Sequence, residues 1–122
     1  LKAPSATETQ IQAAILDWLR VEQAQGRVVW FARINGGATR NAQGRFLTFY
    51  RLYLLGRAER SRGYADVHGM LAGGRYFALE IKKPGERPTP EQAQFLQAVH
   101  DGGGIGAVVT SFEHVREVLE AV

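Results

Sequence analysis

Residues 75–83 and 105–110 are two short apolar runs separated by one sharply delimited helix, and this arrangement leaves few folds open. The helix begins at Thr89-Pro90-Glu91-Gln92. Threonine caps, proline at the first helical position sacrifices no needed N–H, and Gln92 reaches back to the cap. Phe95, Leu96 and Val99 form its apolar stripe, and Gly102-Gly103-Gly104 stops it. Two strands joined by a helix pair in parallel, through a crossover, when they share a sheet. The chain is therefore read as an α/β domain.

The remaining elements fit around that unit. Ser5-Ala6-Thr7-Glu8 reads as a capping box, with Ile11, Ile15, Trp18 and Leu19 following at helical spacing, so a first helix is predicted over 6–24, ending near Gly26. Residues 28–34 are predicted as a strand and 35–45 as a loop rich in Gly36, Gly37, Asn41 and Gly44. Residues 46–55 read as a second extended run and 56–63 as a basic loop. Residues 65–71 and 75–83 should form a hairpin around Gly73-Gly74. Ser111 caps a last helix carrying Val115, Val118, Leu119 and Val122. The predicted order is α-β-β-β-β-α-β-α, one domain over 1–122 without internal repeats.

Composition narrows the function classes. A chain of 122 residues, 45% apolar and 22% charged, can bury its own core. It has no cysteine, which excludes disulfides and thiolate zinc sites. No apolar run approaches the roughly 18 residues of a membrane span, and residues 1–7 lack the apolar core of a signal peptide. No histidine partners His68 at ligand spacing, and His100 and His114 sit in predicted helices, so zinc is not expected. The net charge is +3. Arg40, Arg45, Arg51, Arg57, Arg60 and Arg62 crowd the middle third, followed by Lys82, Lys83 and Arg87. Arginine grips phosphate bidentately, so a polyanionic partner is expected.

Strand alternation over 75–83 puts Phe77, Leu79 and Ile81 on one face, with Tyr76, Ala78, Glu80 and Lys82 on the other. By itself the second face reads as solvated. Asp66, at the start of the preceding strand, changes that reading if it faces Glu80. A strict two-residue turn would pair Asp66 with Ile81, whereas a three-residue loop over 72–74 pairs it with Glu80. The three-residue loop is predicted. Two carboxylates on adjacent strands suit a hard divalent cation, and a lysine beside them can position water or offset charge on phosphate.

These residues carry a resemblance. Gly63-Tyr64-Ala65-Asp66, then Glu80-Ile81-Lys82 after the hairpin, resembles the G-x-P-D…E-x-K signature of the PD-(D/E)xK nuclease superfamily. Arg33-Ile34-Asn35-Gly36, the run from Gly74 to Lys83, Thr89-Pro90-Glu91-Gln92 with Phe95-Leu96, and Gly102-Gly103-Gly104 are similar in order to its VRR-NUC (virus-type replication–repair nuclease) branch. The match covers roughly residues 8–120. The resemblance implies a restriction-endonuclease-like core, a mixed central sheet flanked by helices, and hydrolysis of DNA phosphodiesters with Mg²⁺ or Mn²⁺. Asp66, Glu80 and the Ile81 carbonyl would be ligands, with Lys82 as the catalytic lysine. Glu8 occupies the place of a glutamate that often completes the site, and Gln92 that of a nearby glutamine. Chains this short resemble phage-encoded proteins of the bacterial cytoplasm, implying a homodimer acting on branched or Holliday-junction DNA. Ala65 replaces the usual proline, and residues 46–62 are longer and more basic than usual.

Several residues carry two readings. Glu8 is either a first-turn glutamate of the cap or, lying near the apolar stripe, an inward carboxylate needing a partner. Gln92 is a capping residue or a site residue. His68 shares the face of Asp66 and is expected to be structural. Tyr64 and Tyr76 either stack on a base or pack beside the hairpin. Arg33 and Asn35 are expected near phosphate at the cleft, with Arg57, Arg60, Arg62 and Lys83 forming a basic DNA-facing surface. Trp18, Trp30, Phe31, Phe46, Phe49, Tyr50 and Tyr53 are many aromatics for a small core, and some are expected at a two-fold interface. The alternative function is a non-catalytic basic DNA-binding module.

Overall fold

In this computed structural model, residues 6–34, 38–48 and 50–120 are described. Helix α1 (Glu8–Ala24) is followed by strands β1 (Val28–Arg33), β2 (Ala38–Arg40), β3 (Phe46–Thr48), β4 (Val67–Leu71) and β5 (Tyr76–Ile81). Helix α2 (Pro90–Asp101), strand β6 (Ile105–Val109) and helix α3 (Phe112–Glu120) complete the chain. A four-stranded sheet runs β1-β4-β5-β6, antiparallel at its first two pairings and parallel between β5 and β6. The fold is a small α/β arrangement, a mixed sheet packed against three helices. The crossover expected from the helix at residue 90 is present. No helix among the described residues is long and apolar enough to cross a membrane.

The hairpin between β4 and β5 takes the odd-numbered loop. Leu71 N donates to Arg75 O at 2.9 Å and Gly74 N donates to Leu71 O at 2.9 Å, leaving residues 72–74 as the loop. Gly73 and Gly74 hold φ of 95° and 97°, which residues with a Cβ rarely adopt. The register Val67↔Leu79 and His68↔Ala78, continued by one residue, sets Asp66 against Glu80.

Helices sort to the two faces by their apolar stripes. Ile11, Ile15 and Leu19 of α1 and Val115 and Leu119 of α3 bury against Val67, Phe77, Leu79, Ile81 and Val109. On the other face, Phe95 and Leu96 of α2 meet Ala78, with Leu52 and Ala65 from the long connection before β4. Strand β5 is thus covered on both sides. The face of Tyr76, Ala78, Glu80 and Lys82 is not a solvated one, because α2 lies across it, and Glu80 is only 2% exposed.

Three local expectations are corrected. The α1 cap is Thr7: its side chain accepts from Gln10 N at 3.1 Å, and Gln10 Oε1 accepts from Thr7 N at 2.9 Å. Thr7-x-x-Gln10 fulfils the capping-box pattern two residues after Ser5, which lies outside the described residues, so Glu8 is free of the cap. The region read as a loop over 35–45 contains β2, closed onto β3 by Asn41 Oδ1, which accepts from Gln43 N and Arg45 N at 2.9 Å each. The extended run read over 46–55 breaks after β3. Leu52 and Arg60 then exchange backbone hydrogen bonds, and Leu52 turns into the core under α2.

Candidate active site

Asp66 is fixed from both sides by backbone. Ile34 N donates to Asp66 O at 2.7 Å, extending the β1–β4 ladder, and Ile81 N donates to Asp66 Oδ2 at 2.8 Å. In a strand, the N–H and C=O of one residue point to the same edge. The Ile81 carbonyl therefore opens on the Asp66 side of β5.

Glu80 projects from β5 beneath the first turn of α2. Its Oε1 accepts from Gln92 Nε2 at 2.9 Å and pairs with Lys82 Nζ at 3.5 Å. Its Oε2 is buried and meets no donor. Burial pushes the Glu80 carboxyl up to about 8, and the neighbouring Asp66 charge pushes the same way, outweighing the opposing Lys82 ammonium. A carboxylate oxygen without a donor at this depth is costly, and either a proton or a cation relieves it. Asp66, Glu80 and the Ile81 carbonyl are oxygen donors of the kind Mg²⁺ and Mn²⁺ take.

The two roles of Gln92 are not alternatives. Its Oε1 accepts from Thr89 N at 2.9 Å, completing the α2 capping box, while its Nε2 holds Glu80. Substituting Gln92→Ala removes both bonds from a part-buried site. It is expected to lower stability by about 1–3 kcal/mol, measured by urea denaturation; a loss under about 0.5 kcal/mol, the scatter of surface substitutions, would contradict this arrangement.

The other expected site residues are dispersed. Glu8 is half-buried in the first turn of α1. Among the described residues no three Asp, Glu, His or Cys side chains form a metal-holding group, so Glu8 does not complete a three-carboxylate set with Asp66 and Glu80. Asn35 lies outside the described residues. Arg33 alternates with Phe31 toward the α1 face, exposed and opposite to Glu80. Lys83 follows β5 and lines a cavity of about 550 Å³ with Gln10, Ile11 and Phe112, apart from the carboxylate pair. Arg57, Arg60 and Arg62 gather beside α2 around a cavity of about 450 Å³ with Glu91 and Gln94. Arg60 ties that connection to α2, Nη1 donating to Gln94 Oε1 at 2.6 Å and Nη2 to Glu91 O at 2.8 Å.

Two groupings escaped the sequence reading. Glu22, at the end of the α1 stripe, is buried and paired with Arg27, with Nη2 donating to Oε1 at 2.7 Å. The spacing from Ile15 and Leu19 to residue 22 was the signal. The second surrounds His68, whose Nδ1 lies 3.0 Å from both the Tyr64 and Tyr76 hydroxyls. His68 and Tyr76 are diagonal neighbours in the hairpin register, so the loop length implies their contact. Burial lowers the His68 pKa and raises that of Tyr76.

Of the aromatics expected at an interface, Trp18 and Phe31 pack on the main core and Tyr50 packs under α2. Tyr53 and Trp30 are exposed by 72% and 38%. Comparisons with family models, with curated proteins and with solved structures return no match.

Proposed function

We propose that the chain is a divalent-cation-dependent DNA phosphodiesterase, with Asp66, Glu80 and the Ile81 carbonyl as the ligands of Mg²⁺ or Mn²⁺. The observation that carries this reading is the buried, donorless Glu80 Oε2 beside a second carboxylate. We read the four-stranded sheet, with its hairpin and crossover, as a restriction-endonuclease-like core.

When bound, the cation supplies a more acidic water and offsets negative charge on the attacked phosphate. The chain's own groups do the rest. Gln92 holds Glu80 in one orientation, and the Ile81 N–H does the same for Asp66. Lys82, with a side chain 15% exposed, sets its ammonium beside the Glu80 carboxylate. There it orients the incoming water and stabilises charge on the phosphate oxygens. The arginines around the cavity beside α2 follow the nucleic-acid backbone, with Arg57 and Arg62 exposed for it. A homodimer working on branched or four-way-junction DNA extends the same reading.

Purified Lys82→Ala and Asp66→Ala proteins are expected to lose Mg²⁺-dependent cleavage by about 100-fold or more while still binding DNA. The assay uses single-stranded, duplex, flap and four-way-junction substrates. Unchanged cleavage by the Lys82→Ala protein would sink the assignment. Salt-sensitive binding without any cleavage would instead favour a non-catalytic DNA-binding module built on the same arginines.

A further inference from the structure

The sheet face that carries Glu80 is only half covered by helix. Helix α2 packs on β5 and β6, and among the described residues no helix contacts that face at β1 and β4. The half without a helix bears Trp30, Ala32, His68 and Met70 by strand alternation. Trp30 is the large residue of this surface, and it is 38% exposed.

Its ring is buttressed by others. Phe95, beneath α2, stacks on Tyr64 with centroids 4.7 Å apart. Tyr64 meets His68 edge-on at 5.5 Å, and His68 meets Trp30 edge-on at 5.2 Å. The two tyrosine hydroxyls fix the imidazole at Nδ1. A row of rings thus runs from the covered half of the sheet to Trp30 at its open half. Trp30 stands opposite Met70, four positions from Asp66 and about 14 Å along β4, and β1 lies about 5 Å across from β4.

We infer that Trp30 is a stacking platform for an unpaired nucleobase two or three nucleotides from the phosphate held at Asp66 and Glu80. This rests on the proposed phosphodiesterase site and narrows its substrate to strands with an unpaired base two or three nucleotides from the cut. An aromatic face accepts any base, and a paired duplex hides its base faces within the stack. A ring held by neighbours loses little freedom when a base settles on it, which is the condition for stacking to contribute fully. The net charge of +3 favours the strand's approach.

The test follows Trp30 emission in a Trp18→Phe background, which silences the other of the two tryptophans. A phosphorothioate oligothymidylate, which resists cleavage, is titrated with Mg²⁺ beside a blunt duplex of equal length. The single strand is expected to quench Trp30 at lower concentration than the duplex. Trp30→Ala is expected to weaken its binding about tenfold, the size of one base–aromatic stack, and Trp30→Phe to restore most of that. Trp30 emission unmoved at saturating oligonucleotide overturns the inference, as does Trp30→Ala binding at wild-type strength with an unchanged circular dichroism spectrum. Cleavage that depends on Asp66 alongside either result removes only the platform. Quenching without any cation-dependent cleavage removes the nuclease reading and leaves the platform standing.

Discussion

Replacing Glu80 with glutamine is expected to abolish cation-dependent cleavage and, in the same protein without cation, to raise thermal stability at pH 8. The two effects share one cause. Glu80 is 2% exposed, its Oε2 has no donor, and Asp66 adds a second negative charge nearby. Its carboxyl moves from an ordinary value of 4.5 to about 8 in the folded chain. A folded-state pKa raised in this way means that the folded protein holds its proton more tightly than the unfolded chain does. The contribution to stability is complete below about 4.5 and is lost as pH rises through about 8. Above that range the folded protein carries a buried carboxylate whose charge the Lys82 ammonium offsets only in part. Glutamine keeps the shape, accepts from Gln92 and carries no charge. Thermal melts in EDTA between about pH 5 and about pH 9, the span of that titration, are expected to show wild-type stability falling and the Glu80→Gln protein nearly level. At the upper end the variant should be more stable by about 1–3 kcal/mol. Mg²⁺ is expected to restore the wild type and leave the variant unmoved. Parallel pH profiles for the two proteins would contradict the assigned burial of charge.

The second large effect is expected at Gly106, far in sequence from any site residue. A Cβ at this position would lie 2.2 Å from the Leu96 carbonyl oxygen and 2.9 Å from its carbon. Both are backbone atoms of α2, so no rotamer change relieves the clash and the helix itself must lift. Helix α2 also carries Gln92, so lifting it withdraws the donor from Glu80. Gly106→Ala is therefore expected to destabilise by about 3 kcal/mol or more, at the upper end of overpacking effects, and to impair cleavage together with folding. Gly103 offers the contrast. An added Cβ there meets nothing within 4 Å, and only its φ of 97° opposes alanine. Gly103→Ala should lose about 1–2 kcal/mol, the strain of a positive φ. Urea denaturation of the two variants gives the comparison, and equal losses would mean that α2 does not press on β6.

Local chemistry made much of this fold legible. Thr89 to Gln92 announced α2, and the strands on either side required the parallel β5–β6 crossover. The demand that Asp66 face Glu80 implied a three-residue hairpin loop, and the register has it. Tertiary events were less visible. Alternation placed Glu80 and Lys82 together, yet only the docking of α2 turns a polar face into a buried one. The bonds from Arg60 to Glu91 and Gln94 span more than 30 residues of sequence, and no local pattern encodes them. Glu8 lay near an inward stripe, but helical periodicity gives an angle about the helix axis and no position along the sheet. The α1 cap was misplaced because Ser5-x-x-Glu8 and Thr7-x-x-Gln10 satisfy one pattern equally well.

The central claim is that Asp66 and Glu80 together hold a divalent cation. Its most direct test is titration of Mn²⁺ into the purified protein, followed by electron paramagnetic resonance of the free ion. Saturable uptake is expected for the wild type, with loss of that uptake in both the Asp66→Asn and Glu80→Gln proteins. Uptake unchanged by the two substitutions, or none by the folded wild-type protein, would contradict it.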